Sequence, residues 1–407
     1  IRDCLLSRGL GDVYKRQYMD NAATTSTAPE VVSAMLPFFT EYYGNPSSVY
    51  NFAQKSKMAI EDAREIIADS IGAAKSNEIY FTGGGSESDN WALKSAAFGL
   101  RDKGNHIITT KIEHHAILNT CAYLEKNGFE VTYLDVDSEG FVSLEDVENA
   151  ITEKTILISV MFANNEIGTI EPVCEIGEIA HKHGILFHTD AVQAMCHVPI
   201  NVTEMNIDLL SASAHKFHGP KGVGFMYMKN SAKLEPFIHG GAQERARRAG
   251  TSNVPGIVGM GQAVKLALST LDKDTHTIIN MRNYIVDRIL GEIPDVTFDG
   301  PCIDANAVSA GSPAGSLKRL PSNMHFCFKD VSGDSLLIML DMNGICASSG
   351  SACAAGSIDP SHVLLAIGRS KGETKGALRL SIDKDLTKED ADYAIDALKA
   401  AVARLRR

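Results

Sequence analysis

Cysteine is scarce in this chain: there are 8 in 407 residues, scattered and without a C-x-x-C pair. That usage reads as free thiols of a cytoplasmic protein and argues against a disulfide framework. Basic residues are in deficit, 39 Lys+Arg against 50 Asp+Glu, for a formal net charge of −11. A nucleic-acid or anionic-membrane surface needs concentrated Lys and Arg, so neither partner is expected. No apolar run approaches the roughly 18 residues of a membrane helix. With 34 Gly and 13 Pro the chain is neither collagen-like nor disordered. Internal repeats are also lacking.

What is present is an ordinary globular composition, 44% hydrophobic and 22% charged. At roughly 150 residues per domain the length suits two or three domains, or one large α/β domain with a smaller companion. Residues 1–17 (IRDCLLSRGLGDVYKRQ) stand apart from the rest. Their apolar cluster, Cys4-Leu5-Leu6, is too short for a signal-peptide core, and no small-residue cleavage site comes after it. They are expected to be a non-native or disordered leader, with no function for Cys4.

From Tyr18 onward the pattern becomes regular. Thr27-Ala-Pro-Glu30 reads as a capping box opening a helix that runs to about Tyr42. A second helix is expected over about Ala53–Ile71. Short apolar runs then alternate with helical stretches: Ile79–Phe81, His106–Thr110, Val131–Leu134, Ile156–Met161, Ile185–His188 and Ile207–Ser211. This alternation predicts an α/β fold with a mostly parallel sheet covered on both faces. Val223–Met228 comes after the preceding strand with only a loop between, which suggests an antiparallel addition. Helices are expected at about Pro255–Asp272 and Thr275–Leu290. Next is a small α+β region, with Met324–Phe328, Ser332–Asn343, Ala377–Ser381 and a final helix at Lys388–Leu405. The expected division is an N-terminal segment 18–30 associated with the small domain, a large domain 31–272 and a small domain 273–407.

Three segments carry chemistry. Thr82-Gly83-Gly84-Gly85-Ser86-Glu87-Ser88 lies between a predicted strand and helix. It is either a phosphate cup, using the free N–H groups of a helix start, or a merely tight turn. It has neither the Lys of a P-loop nor the spacing of a dinucleotide fingerprint. Asp190, in His188–Gln193, falls at the carboxyl end of a strand, where open α/β sheets bind ligands but where a helix cap is also common. Lys216 comes after the next strand, and a single loop lysine is usually solvated. Taken together the three fit pyridoxal phosphate: a cup for the phosphate, a carboxylate for the ring nitrogen and a lysine for the Schiff base.

With these motifs go Asp20–Thr25 (DNAATT), Glu113-His114, Asn164–Gly168 (NNEIG), Ser213–Lys216, Arg248–Thr251 (RAGT) and Ser348–Cys353 (SSGSAC). The set resembles the cysteine desulfurases of the class-V aminotransferase family, in the subgroup with a long cysteine-bearing loop. The resemblance runs from about Tyr18 to the C-terminus. It implies the fold of type-I pyridoxal-phosphate transferases, a homodimer, and conversion of L-cysteine to L-alanine with sulfur passed to a protein persulfide. The acceptors it implies are an iron–sulfur scaffold or a tRNA-thiolation relay.

The resemblance assigns Lys216 to the Schiff base, Asp190 to the pyridinium nitrogen and His114 to the ring face and to proton transfer. Asn165 and Gln193 are expected near the ring hydroxyl. Gly85, Ser86, Ser213 and His215 are expected at the phosphate, joined by Thr251 from a neighbouring subunit. Arg379 matches the arginine that binds the substrate carboxylate. Asn45 and Asn165 are further substrate-side candidates.

Cys353 matches the sulfur-accepting cysteine, in a stretch with almost no side-chain bulk. Cys121, Cys174, Cys196, Cys302, Cys327 and Cys346 are read instead as small buried hydrophobes. The histidines lack ligand partners at convincing spacing, so no metal is expected. Two alternatives stay open: a selenocysteine lyase or related lyase or aminotransferase on the same fold, and a catalytically silent sulfur carrier.

Overall fold

A series of five-residue segments, apolar residues mixed with small and hydroxyl-bearing ones, is buried on both faces, the signature of strands covered on both sides. His106–Thr110, Thr155–Ser159, Leu209–Ser213 and Gly224–Met228 are buried at every position. The computed structural model describes residues 16–232, 234–303, 317–350 and 360–407. After a short β1 (Gln17–Tyr18) come the strands of the main sheet. These are β2 (Ile79–Thr82), β3 (His106–Thr110), β4 (Glu130–Leu134), β5 (Thr155–Ser159), β6 (Leu186–Asp190), β7 (Leu209–Ser213) and β8 (Gly224–Met228). Their order is β2-β8-β7-β6-β5-β3-β4. Only β8 runs against the rest, pairing antiparallel with β2 and β7. The antiparallel addition at Val223–Met228 is therefore observed.

β2, β6 and β7 thus point their carboxyl ends to one edge, and the segments leaving those ends build the site. Helices Gly85–Gly99 and His115–Lys126 cover one face of the sheet; Asn51–Ser70 and the start of Val254–Glu292 pack with the other core layer.

A second sheet lies toward the C-terminus. β9 (Val296–Asp299) and β12 (Ala377–Ser381) flank β10 (Asn323–Phe328), antiparallel on both sides, and β11 (Ile345–Cys346) pairs in parallel with β1. Its own apolar core gathers Met19, Ile285, Ile289, Phe326, Leu378 and Leu398.

Two expectations need correction. The helix expected to begin on a Thr27 cap and run to Tyr42 is instead Pro29–Met35 and then Pro37–Thr40. Its N-cap is Ala28, without a side-chain cap, while the Thr27 hydroxyl bonds to the Gly219 carbonyl. Pro37 has no N–H to donate to the preceding turn and its ring clashes there, so the helix breaks. The two helices expected over Pro255–Leu290 are one, Val254–Glu292, 39 residues long. Asp272–Thr275 contains neither Gly nor Pro, and nothing stops it. Its first half is buried in the large core and its last turns in the small one. One stretch of this helix is apolar enough for a membrane span by composition, but 44% of it is buried inside the protein.

Candidate functional site

A cavity of about 310 Å³ opens where the carboxyl ends of β2, β6 and β7 meet the small sheet. That is within the range of small-ligand sites. Its lining brings together Gly85, Ser86, His114, Asn165, Asp190, Gln193, Ser213, His215, Lys216 and Arg379. These residues come from six separate segments of the sequence.

At one end, β2 turns into helix Gly85–Gly99 through Gly84, whose φ of +146° favours glycine. A Cβ on Gly85 would lie 2.5 Å from Val192 Cγ2, and Gly84 Cα sits 2.7 Å from where Gly224 would carry one. The turn therefore packs flush against the Asp190–Val192 corner and β8. The first N–H groups of a 15-residue helix face the opening, with Ser86, Ser213, His215, Thr24 and Lys221 around it. Outside, Glu87 accepts from the Gly83 N–H (2.7 Å) and pairs with Arg248 (2.8 Å). Partial burial, then Lys216 and Lys221, hold the His215 ring down to about 4, so it is neutral near pH 7. The end suits a dianionic phosphate.

At the other end, Asp190 closes β6, 5% exposed, and its Oδ1 accepts the Val192 N–H at 2.9 Å. The Lys216 Nζ reaches the Ala22 and Ala23 carbonyls at 2.6 and 2.9 Å. Gln193 Nε2 donates to the same Ala22 carbonyl at 3.0 Å. His114 is the N-cap of helix His115–Lys126 and accepts the Ala116 N–H at Nδ1 (3.1 Å), which leaves Nε2 to carry a ring N–H toward the cavity side.

The small sheet supplies the facing wall. Arg379, on β12 and 1% exposed, donates to Asp20 Oδ1 (2.8 Å) and to the Asn165 and Gly350 carbonyls (2.9 and 3.2 Å). Among the described residues its Nε has no partner, leaving one N–H of the fork for an acid.

Asn45 and Thr251 do not join this constellation. Asn45 is exposed and its Oδ1 accepts the Ser47 N–H at 3.0 Å, the work of a turn residue. Thr251 is exposed and does not line the cavity of its own chain. Cys353 lies outside the described residues. Of the six cysteines read as buried, Cys121, Cys196 and Cys327 are buried and Cys346 half-buried, but Cys174 and Cys302 are exposed. Cys174 faces solvent from the first turn of helix Val173–Lys182, and Cys302 sits in a surface loop.

Sequence reasoning did not anticipate Asp89, Glu166, His115 or His362 in the lining. Glu166 accepts the Ser361 hydroxyl at 2.6 Å, and the His115 and His362 rings meet edge to face at 4.8 Å. The one local signal was Asp89, one turn after Ser86.

Residues 17–394 match the family model for the class-V aminotransferases. The chain belongs to that family. It is 54% identical over 392 residues to the cysteine desulfurase IscS of Clostridium botulinum, covering 96% of each chain. To the cysteine desulfurase IscS of Methanosarcina thermophila it is 52% identical, over 96% of this chain and 93% of the relative. Among solved structures, a NifS-like protein superposes with a TM-score of 0.87 at 36% identity, covering 96% of this chain and 100% of the other. A structure described as SspA in complex with cysteine superposes with a TM-score of 0.77 at 38% identity, covering 90% and 99%. The α/β architecture with a mostly parallel sheet is the one expected from the sequence.

Proposed function

We propose that this chain is a pyridoxal-phosphate-dependent cysteine desulfurase, converting L-cysteine to L-alanine and passing the sulfur to Cys353 as a persulfide. One observation carries the reading: a glycine-lined helix start, Asp190 and Lys216 line a single cavity, with Arg379 across from them. The donor set fits the cofactor. Ser86, Ser213, neutral His215 and the N–H groups at Gly85 would hold the phosphate, Asp190 the ring nitrogen and His114 the ring face. Asn165 and Gln193 would lie toward the ring hydroxyl. When bound, pyridoxal phosphate supplies an electron sink for the substrate's Cα–H bond.

The chain's own residues do the rest. Arg379 anchors the substrate carboxylate through its planar fork. Lys216 Nζ takes the Cα proton and returns one on the way to alanine. The Cys353 thiolate attacks the substrate sulfur: an S–S bond forms, the Cβ–S bond breaks, and the carbon keeps the pair and is protonated. A free thiol has a pKa near 8.5, so thiolate must be favoured locally. From Cys353 the sulfur goes to acceptors, an iron–sulfur scaffold or a tRNA-thiolation relay.

Exposure of Thr251 supports its assignment to the cavity of a neighbouring subunit in a homodimer. Exposed Leu36, Phe39, Tyr43, Val49 and Tyr50 support an apolar contact for that dimer. The free cysteines among the described residues support a cytoplasmic enzyme.

The test is direct. Holoenzyme given L-cysteine should form alanine, and mass spectrometry should locate one extra sulfur on Cys353. Cys353→Ser should keep the cofactor's absorbance and stop sulfide release; full activity in that variant overturns the assignment.

A further inference from the structure

The cavity floor holds two buried acids, Asp89 and Asp190, with a third, Glu113, beyond the lining. Asp89 projects from helix Gly85–Gly99 and is 1% exposed. Single ligand atoms of Asp89, His114 and Asp190 all lie within 4.8 Å of one another. Two buried carboxylates that close are not both ionised, because each raises the cost of charging the other.

The surroundings of each decide which one holds the proton. His188, fully buried beside them on β6, has Nδ1 2.9 Å from the Ser159 hydroxyl and Nε2 3.1 Å from the Ser211 hydroxyl. Burial holds its ring down to about 3, so it is neutral, with one N–H and one lone pair. One of the two serine hydroxyls therefore donates to the ring and the other accepts from it. Ser211 also draws the Asp89 carboxyl down, but only in part. Among the described residues Asp89 Oδ1 has no hydrogen-bond partner, and it sits 3.9 Å from the neutral His188 ring. Asp190 instead receives the Val192 N–H and faces the Lys216 ammonium.

We propose that Asp89 is a positioning residue that keeps its proton beside Asp190, leaving Asp190 as the single anion of the floor. Burial, then the nearby Asp190, pushes the Asp89 carboxyl well up. At Asp190, burial is opposed by His114, the Val192 N–H and Lys216. The other groups facing the pair do not change this ordering. His114 acts on the Asp190 side, and burial pushes Glu113 up as well. This deepens the reading of the cavity as a pyridoxal-phosphate site, because one fixed anion is what a protonated ring nitrogen requires. An unassigned proton shared between two acids would leave that nitrogen without a full counter-charge.

Infrared spectroscopy of the full-length holoenzyme, carboxyl-labelled with carbon-13 at aspartate only, separates Asp89 from Glu113. A protonated-aspartate carbonyl band is expected at neutral pH, and it should vanish in Asp89→Asn. Its absence from the wild type, or its survival in Asp89→Asn, overturns the proposal. In parallel, Asp89→Ala should weaken pyridoxal-phosphate binding about tenfold by removing a buried polar neighbour of Asp190, and Asp89→Asn should recover most of that loss. An Asn variant no better than Ala also overturns it. Where Ala does not fold, the Asn variant and the infrared band still decide. The band is read whatever cofactor is bound, whereas failure of the pyridoxal-phosphate reading shows in the absorbance of the wild type.

Discussion

On the large-sheet side of the cavity, Ser86, Asp190, Ser213 and Lys216 all fall within four residues of a strand's carboxyl end. On the opposite side, Arg379 sits inside β12 and is held by Asp20, Asn165 and Gly350, which are 359, 214 and 29 residues away in sequence. The first wall is made by local geometry: a parallel sheet delivers strand ends to one edge, and a glycine turn opens a helix there. The second exists only once both cores have formed and β10 has paired with β12. The two walls should therefore respond separately to mutation, the first through the cofactor and the second through the substrate.

The largest separation is expected from Lys216→Ala. Removing the group that moves the Cα proton should lower alanine formation by about 10³-fold or more. The absorbance of the cofactor–lysine adduct should disappear as well, because the same Nζ serves both. Alanine production near the wild-type rate would show that a different base works from the facing wall.

Arg379→Lys comes next. Lysine keeps the charge but loses the planar fork and its hydrogen bonds to the Asn165 and Gly350 carbonyls. Losing one charge-assisted bond to a carboxylate costs enough to raise KM for L-cysteine roughly ten- to hundredfold. Cofactor affinity should stay near the wild-type value. A variant that also sheds its cofactor would mean that the two walls do not act independently.

The same contrast governs what could be read from sequence. Glycines between a strand and a helix, an aspartate at a strand end and a lysine after the next strand are local features, so the cofactor wall was legible. Asp89 was legible only in its spacing from Ser86, since an aspartate inside a helix looks solvated until Ser88, Asp89 and Ala92 are known to face inward. Asp299 and His325 escaped notice for a different reason: their 2.8 Å pair forms across β9 and β10, 26 residues apart. Cys174 and Cys302 were misjudged because a cysteine carries no pattern of its own, and only the helix face or loop it occupies decides exposure. The break at Pro37 was visible in sequence, but the apolar period ran through it.

Acid should reveal the smallest difference between the walls. His215 has its folded value lowered to about 4 from an ordinary 6.5, first by partial burial and then by Lys216 and Lys221. As pH falls below 6.5 the unfolded chain binds the proton and the folded one does not, so folding is disfavoured progressively down to about pH 4. Being only partly buried, His215 should contribute no more than about 1 kcal/mol to that loss. In the small sheet behind the facing wall, Asp299 runs the other way. Burial would raise its carboxyl, but His325 and Arg369 outweigh that and hold it below 3.8. Its contribution is present at all higher pH and fades only as pH drops through and below that value. Denaturant melts of the full chain between pH 7 and pH 4 should therefore be flattened by His215→Gln and left with their slope by Asp299→Asn. The opposite assignment of slopes would show that the small-sheet wall, and not the cofactor wall, is the acid-sensitive one.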